Sequence, residues 1–393
     1  MSIYQEKADQ ASKLLHEFDL DCWLTFARET VVSPDPGIEL AIGSNVTWPS
    51  AFIFAKNGQR IAIVGRYDVP SVDAYGVFPT VISYDAGISE TLIAQLTALN
   101  PRTIGLNYSI DDKTSDGLTV GMYLMLQNIL KGTPFADRLV SAGPLLSALR
   151  ARKTAGEIAR IKAAIDTTEE IVNMVTAQIQ VGRSEKDIGD FIHGEFKRRG
   201  LPAAWAWDGC PIVNSGPDSA VGHGVPSADI HIAPGHIVHI DLGVQQDGYC
   251  SDIQRLWYVR RPGETTLPAE IQRAFDTVRQ AIREGAKALR PGVKGHEVDQ
   301  VARDVIVDAG YPEYMHAFGH GLGKACHDGG PLLGPRWERY GNTPDMIVEV
   351  GNIYTLELGV ITSAGYVGLE EDVLVTENGV VFLSNEQTEM RMI

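Results

Sequence analysis

The 393-residue chain carries 34 Lys and Arg against 50 Asp and Glu, a formal net charge of -16 that argues against nucleic-acid or anionic-membrane partners and for small molecules or peptides. Its length suggests two domains, and 44% hydrophobic residues can bury a substantial core in each. The opening MSIYQEKADQASKLLHEF lacks a signal-peptide layout, no apolar run is long enough to span a bilayer, and Cys22, Cys210, Cys250 and Cys326 form no C-x-x-C pair, so a reduced, cytoplasmic protein is expected.

Up to about residue 150, strand-like runs (CWLTFA, AFIFAK, RIAIVG, TVISYD, TIGLNY) alternate with helix-like ones (EKADQASKLLHEF, SETLIAQLTAL, GLTVGMYLMLQNIL), which predicts an α/β layer domain over 1–150. A long turn-rich stretch between CWLTFA and AFIFAK carries Arg28, Asp35, Glu39 and Trp48, and loops of that length are uncommon unless functional. The character changes near residue 150, where Thr154 and Glu157 form a capping box before a long amphipathic helix, so a second domain is expected over 151–393. Another helix starts at Ser184. Two more, over 268–289 and 295–310, precede the last strand-like runs.

Acids gather in those strands. Asp241 lies in HIVHIDLGV and Asp252 in YCSDIQRLWYV, with QQDG between them as a turn; a loop over Gln245 to Gly248 would set the two aspartates opposite each other, roughly 5 Å apart on one face. Glu357 in YTLELGV and Glu370 in GLEEDVLV repeat the device across ITSAGYV. Each uncompensated pair about 4 Å apart would repel by roughly 4 kcal/mol at an effective dielectric near 20. Divalent cations remove that cost, and an oxygen-rich set with a single imidazole suits Mn, Co, Fe or Zn. The imidazole comes from the segment His316-Ala-Phe-Gly-His320-Gly-Leu-Gly-Lys-Ala-Cys-His327-Asp328, whose glycines at 319, 321 and 323 let neighbouring backbone approach closely. A phosphate loop would need Gly at 318 and Ser or Thr at 325, which are Phe318 and Ala325. Cys250 and Cys326 lie near these positions and read as small buried apolar residues.

The order of a D-L-G strand, an S-D-I strand, a G-H-G-L-G turn followed by H-D, an E-x-G strand and L-E-x-D-V-L-V-T-E-N-G resembles the metallopeptidase family of prolidase, aminopeptidase P and methionine aminopeptidase, from about residue 155 onward. The resemblance implies a pita-bread α+β catalytic domain behind an α/β N-terminal domain of the creatinase and prolidase type. It implies two divalent ions, manganese first among them, on Asp241, Asp252, His320, Glu357 and Glu370. His223 in VGHGVPS matches a histidine that assists the transition state, and His327 and His316 match histidines that contact substrate. A hydroxide bridging the ions would attack the peptide bond before proline, with Glu357 shuttling a proton to the leaving nitrogen. A homodimer is implied, in which the first domain limits substrate length and Arg28 contacts the substrate.

Three positions depart from the family pattern. Leu358 stands for the usual proline of E-P-G, Gly368 for an arginine two residues before the last ligand, and Pro331 for the arginine that grips a dipeptide's carboxylate; Arg336 or Arg339 could substitute for the last. The moderate first domain, the length and the HGVPS pattern around His223 favour an Xaa-Pro dipeptidase, while the missing arginine gives weight to an Xaa-Pro aminopeptidase; a hydrolase of another small amide and a non-catalytic peptide-binding module are further alternatives.

Overall fold

The apolar runs of the first half assemble into one six-stranded mixed sheet in the computed structural model, which describes every residue except Met1, Val221 and His223. The chain divides into two compact units, Met1–Arg150 and Ala151–Ile393. In the first, β1 (Cys22–Ala27), β2 (Ser50–Ala55), β3 (Arg60–Gly65), β4 (Thr80–Tyr84), β5 (Ile104–Leu106) and β6 (Leu139–Ser141) lie in the order β4-β3-β2-β1-β5-β6. Every residue of β1 and β2 is buried, because helices cover both faces. Alternate residues feed two cores. Trp23, Phe52 and Phe54 join residues of α1 (Ile3–Glu17), α2 (Val69–Tyr75) and α5 (Gly143–Ala151), while Cys22, Leu24 and Phe26 join those of α3 (Ser89–Leu99) and α4 (Val120–Leu130).

The long stretch after β1 is more ordered than its turn residues suggest. Residues Ile38–Ile42 form a short π-helical turn whose apolar side chains are buried. Asp35 Oδ1 accepts from the Gly37 amide at 2.7 Å and from Asn107 Nδ2 at 2.7 Å, and Glu39 pairs with Arg150 at 2.6 Å. Asp35 and Glu39 therefore anchor the stretch to its own unit. Arg28, directly after β1, is exposed.

In the second unit the capping boxes at Thr154 and Ser184 start α6 (Ala155–Val175) and α7 (Glu185–Arg199). The other helices are α8 (Ala269–Ala288) and α9 (Gly295–Asp308). The strands are β7 (Ile212–Ser215), β8 (Ile237–Leu242), β9 (Gln245–Gln246), β10 (Tyr249–Cys250), β11 (Ile253–Tyr258), β12 (Ile353–Thr362), β13 (Gly365–Thr376), β14 (Gly379–Phe382) and β15 (Arg391–Met392). The main sheet runs β12-β13-β11-β8-β7, with β14 on β13 and β15 on β11. Val238, Ile240, Leu242 and Trp257 pack with α6 and α7; Leu356, Leu358, Val360, Val367 and Leu369 pack with α8 and α9. The residues alternating with these along each strand face the other way, and that second face carries the acids.

One register differs from expectation. Tyr249 pairs with Gln246 and Gln254 with Asp241, so the hairpin closes in the two residues Asp247 and Gly248 rather than four. Both have positive φ, 50° and 76°, the backbone a tight two-residue hairpin needs. The shift moves Asp252 two residues from the position opposite Asp241. Because side chains alternate with a period of two, both aspartates keep the same face.

Candidate metal centre

Four strands place one row of polar side chains across the sheet. Asp241 on β8 pairs with Gln254 on β11, Gln254 with Glu370 on β13, and Glu370 with Glu357 on β12. Asp252 and Asp372 lie two residues along from Gln254 and Glu370, on the same face. His320 enters from the glycine-rich turn, held because the Thr355 amide donates to its carbonyl at 3.0 Å and the Glu357 amide donates to the Phe318 carbonyl at 2.7 Å. The glycines are needed for close approach: a Cβ on Gly319 would stand 2.0 Å from the Thr355 carbonyl oxygen, and one on Gly321 would stand 2.4 Å from that of Gly329.

His320 Nε2 faces Asp252 Oδ2 at 3.6 Å, Glu357 Oε1 at 3.8 Å and Glu370 Oε1 at 3.9 Å. Its Nδ1 lies 3.3 Å from the Gly321 carbonyl, the arrangement that keeps the proton on Nδ1 and turns the Nε2 lone pair toward the acids. Burial, and then His327, lower its pKa to about 3, so the ring is neutral. Ligand atoms of Asp252, His320 and Glu370 all lie within 4.8 Å of one another.

Among the described residues, these acids have no ion pair with a lysine or arginine. Asp241 Oδ1, Asp252 Oδ1 and Asp372 Oδ1 are buried and accept no hydrogen bond from any described residue. Gln254 Nε2 donates to Glu357 Oε2 at 2.9 Å and to Glu370 Oε2 at 3.0 Å, a neutral donor shared between two acids. Burial raises the pKa of all four expected carboxylate ligands, with added repulsion at Asp252 and Glu357 from Asp241 and at Glu370 from Asp252. Orphaned buried oxygens beside a neutral imidazole form a donor set that one or more divalent cations would complete.

Each expected site residue has a definite place, with one exception. Asp241, Asp252, His320, Glu357 and Glu370 converge. His327 is exposed with its ring 4.3 Å from that of His320, and His316 is exposed with its ring 5.6 Å from that of Tyr314. Arg28 belongs to the first unit. His223 lies outside the described residues.

The departures from the family pattern have physical consequences. A Cβ at Gly368 would meet the Tyr366 ring at 2.3 Å and Gln254 Oε1 at 2.9 Å, so Tyr366 fills the space an arginine would need. Arg336 is ion-paired with Asp345 at 2.5 Å, and Arg339 donates to the Met315 carbonyl.

Sequence reading missed Gln254, Asp372 and His239, whose Nε2 lies 2.9 Å from Gln254 Oε1. All three sit two residues from an expected ligand on the same strand face, and that spacing was the available signal. Cys326 does more than fill space: its Sγ donates to Asp252 Oδ2 at 2.8 Å.

A model of metallopeptidase family M24 matches residues 159–377. The Bacillus subtilis protein YkvY is 31% identical over 289 residues, 73% of each chain. The Xaa-Pro dipeptidase of Pyrococcus furiosus is 32% identical over 244 residues, 62% of this chain and 65% of that one. Among solved structures, the Xaa-Pro dipeptidase from Bacillus anthracis superposes with a TM-score of 0.76 at 24% identity, over 99% of this chain and 100% of that one. The X-Pro aminopeptidase from Thermotoga maritima superposes with a TM-score of 0.72 at 24% identity, over 98% and 99%. At that identity the superpositions bear on fold alone, an α/β unit followed by a pita-bread α+β unit.

Proposed function

The chain belongs to metallopeptidase family M24, and from that premise we propose that it is an Xaa-Pro dipeptidase, a prolidase, working with two divalent ions. The observation that carries the proposal is the row of buried acids on one sheet face with a neutral imidazole and no cation among the described residues that meet it. Asp241, Asp252, His320, Glu357 and Glu370 would hold the ions, and their oxygen-rich character favours manganese, with cobalt, zinc or iron as further candidates. Bound there, the ions supply Lewis-acid polarisation of the scissile carbonyl and a water acidified toward neutral pH.

The chain's own groups do the rest. Glu357, whose side chain is 20% exposed, is more open than Asp252 or Glu370, and burial raises its proton affinity. It takes the proton of the attacking water and delivers it to the leaving imino nitrogen. His327, exposed beside His320, donates a hydrogen bond to the carbonyl oxygen as negative charge develops there. His316 contacts the far end of the substrate. His223 shares the role of His327 on the strength of the family resemblance. Arg28 contributes to substrate binding in a homodimer; unchanged KM in an Arg28→Ala variant would remove it from the account. No described helix is long and apolar enough to cross a membrane, and a cytoplasmic location is proposed.

One observation favours a second reading. Arg336 and Arg339, the nearest replacements for a carboxylate-gripping arginine, are both engaged within their own loop. An Xaa-Pro aminopeptidase, which accepts longer peptides, needs no such grip. Manganese-supplemented hydrolysis of Ala-Pro and Met-Pro beside Ala-Pro-Ala separates the two. Cleavage confined to dipeptides is expected; cleavage of the tripeptide assigns the aminopeptidase, and no cleavage of any removes both.

A further inference from the structure

Cys326 lies inside the candidate centre yet has no part in the chemistry proposed above. Its ligand atom and those of His320 and His327 all fall within 4.8 Å of one another. His320 also belongs to the set with Asp252 and Glu370. The imidazole is therefore common to two donor sets of different character, one of carboxylate oxygens and one of a thiol with a second imidazole, which touch where Cys326 Sγ lies 2.8 Å from Asp252 Oδ2. Hard ions prefer the first set, and soft, thiophilic ions the second.

The geometry suits a small tetrahedral ion. Zn–S bonds near 2.3 Å and Zn–N bonds near 2.0–2.1 Å put neighbouring donors roughly 3.3–3.6 Å apart, so the trio, already within 4.8 Å, closes with a contraction of at most about 1.5 Å. The loop that carries it is already fixed. Lys153 Nζ donates to Asp328 Oδ2 at 2.8 Å, with both side chains 2% exposed. The Ala325 amide donates to Asp328 Oδ1 at 3.2 Å and the Asp328 amide to the Gly321 carbonyl at 2.8 Å. Cys326 and His327 are thus held between two anchored neighbours, which lowers the ordering cost of binding.

We propose that Cys326, His327 and His320 form a thiophilic metal site that takes a thiol-binding divalent ion, soft Cd2+ or borderline Zn2+. Binding breaks the S–H bond, releases the proton to solvent past Asp252, and forms an S–metal bond with no change of oxidation state. His320 is shared, so an ion in the thiol set withdraws it from the carboxylate set and competes with the harder ion; this competition rests on the metal-centre reading above, whereas the thiol site does not.

Cadmium titration of the metal-free full-length protein tests it, read by the sulfur-to-cadmium charge-transfer absorption in the ultraviolet. A single saturable band is expected in the wild type and in Cys250→Val. In Cys326→Val and Cys326→Ser the band is expected to vanish; two variants of different polarity guard against one that fails to fold. No band in the wild type, or a band that survives in either Cys326 variant, overturns the proposal. In a second arm, saturating Mn2+ should raise the Cd2+ midpoint, and an unmoved midpoint overturns the sharing of His320. The band does not depend on peptide cleavage, so failure of the peptidase reading would appear separately, as intact Ala-Pro.

Discussion

Glu370 and Glu371 are neighbours on β13 that point to opposite faces of one sheet, and the two faces treat buried acid in opposite ways. Glu371 accepts from Arg255 Nη2 at 2.9 Å, from Ser384 Oγ at 2.5 Å and from the Gln387 amide at 3.0 Å. Glu370 receives one hydrogen bond from a neutral glutamine that it shares with Glu357. Burial raises the pKa of both, but at Glu371 the Arg255 charge opposes the rise, whereas at Glu370 Asp252 and Glu357 add to it. A buried acid with its base close by serves the fold. Acids clustered without one are costly in the bare chain and call for a cation from outside.

Variants that exchange the two behaviours test this contrast. The largest effect is expected from Glu370→Gln, which should lose metal affinity by more than ~100-fold, beyond the range typical of outer-shell partners, and abolish dipeptide hydrolysis. Removing one of several repelling acids should leave the metal-free variant at least as stable as the wild type at pH 8. A lower Tm there would break the contrast. Glu371→Ala should do the reverse by leaving buried Arg255 with backbone carbonyls and, as its one acid among the described residues, the more distant Glu169 at 3.8 Å. A loss of about 3–5 kcal/mol in denaturant unfolding is expected, with metal affinity much less affected.

The pH dependence follows from the raised carboxyl pKa values. Between the ordinary carboxyl range near pH 4 and the displaced value of about 8 for Glu357, the folded metal-free chain holds more protons than the unfolded one. Its stability therefore falls as pH rises through that window. Metal displaces those protons, so thermal unfolding of the loaded protein should be much flatter with pH. A metal-free protein that gains stability over the same window would contradict the raised values. The smallest effect is expected from Gln254→Ala, about tenfold in metal affinity, because glutamine orients Glu357 and Glu370 without neutralising them; unchanged affinity by calorimetric titration would make it a packing residue only.

How far the sequence could be read depended on the physics behind each feature. The capping boxes at Thr154 and Ser184 are local, and both start helices in the structure. The Glu357 and Glu370 pairing was legible because alternation carries it along two long strands. A four-residue QQDG loop sets the Asp241 hairpin two residues out of register, while Asp247 and Gly248 alone reverse the chain. Only an even slip could have kept both aspartates on one face. Gln254 and Asp372 were hidden for a different reason. An uncharged glutamine carries no motif, and Asp372 reads as one more acid in L-E-E-D; what marks them is cross-strand register, which a single strand does not contain. The contact between Cys326 and Asp252 joins residues 74 apart in the chain and required the fold.

Two cations are proposed to neutralise the acids that this face leaves without bases among the described residues. The direct measurement is the manganese content of the purified protein, taken from full chelation through saturation, with Ala-Pro cleavage followed at each step. Two ions per chain, with cleavage that appears as they bind and disappears with the chelator, is the expected result. A protein that binds no divalent ion, or that cleaves Ala-Pro equally well when fully chelated, would contradict it.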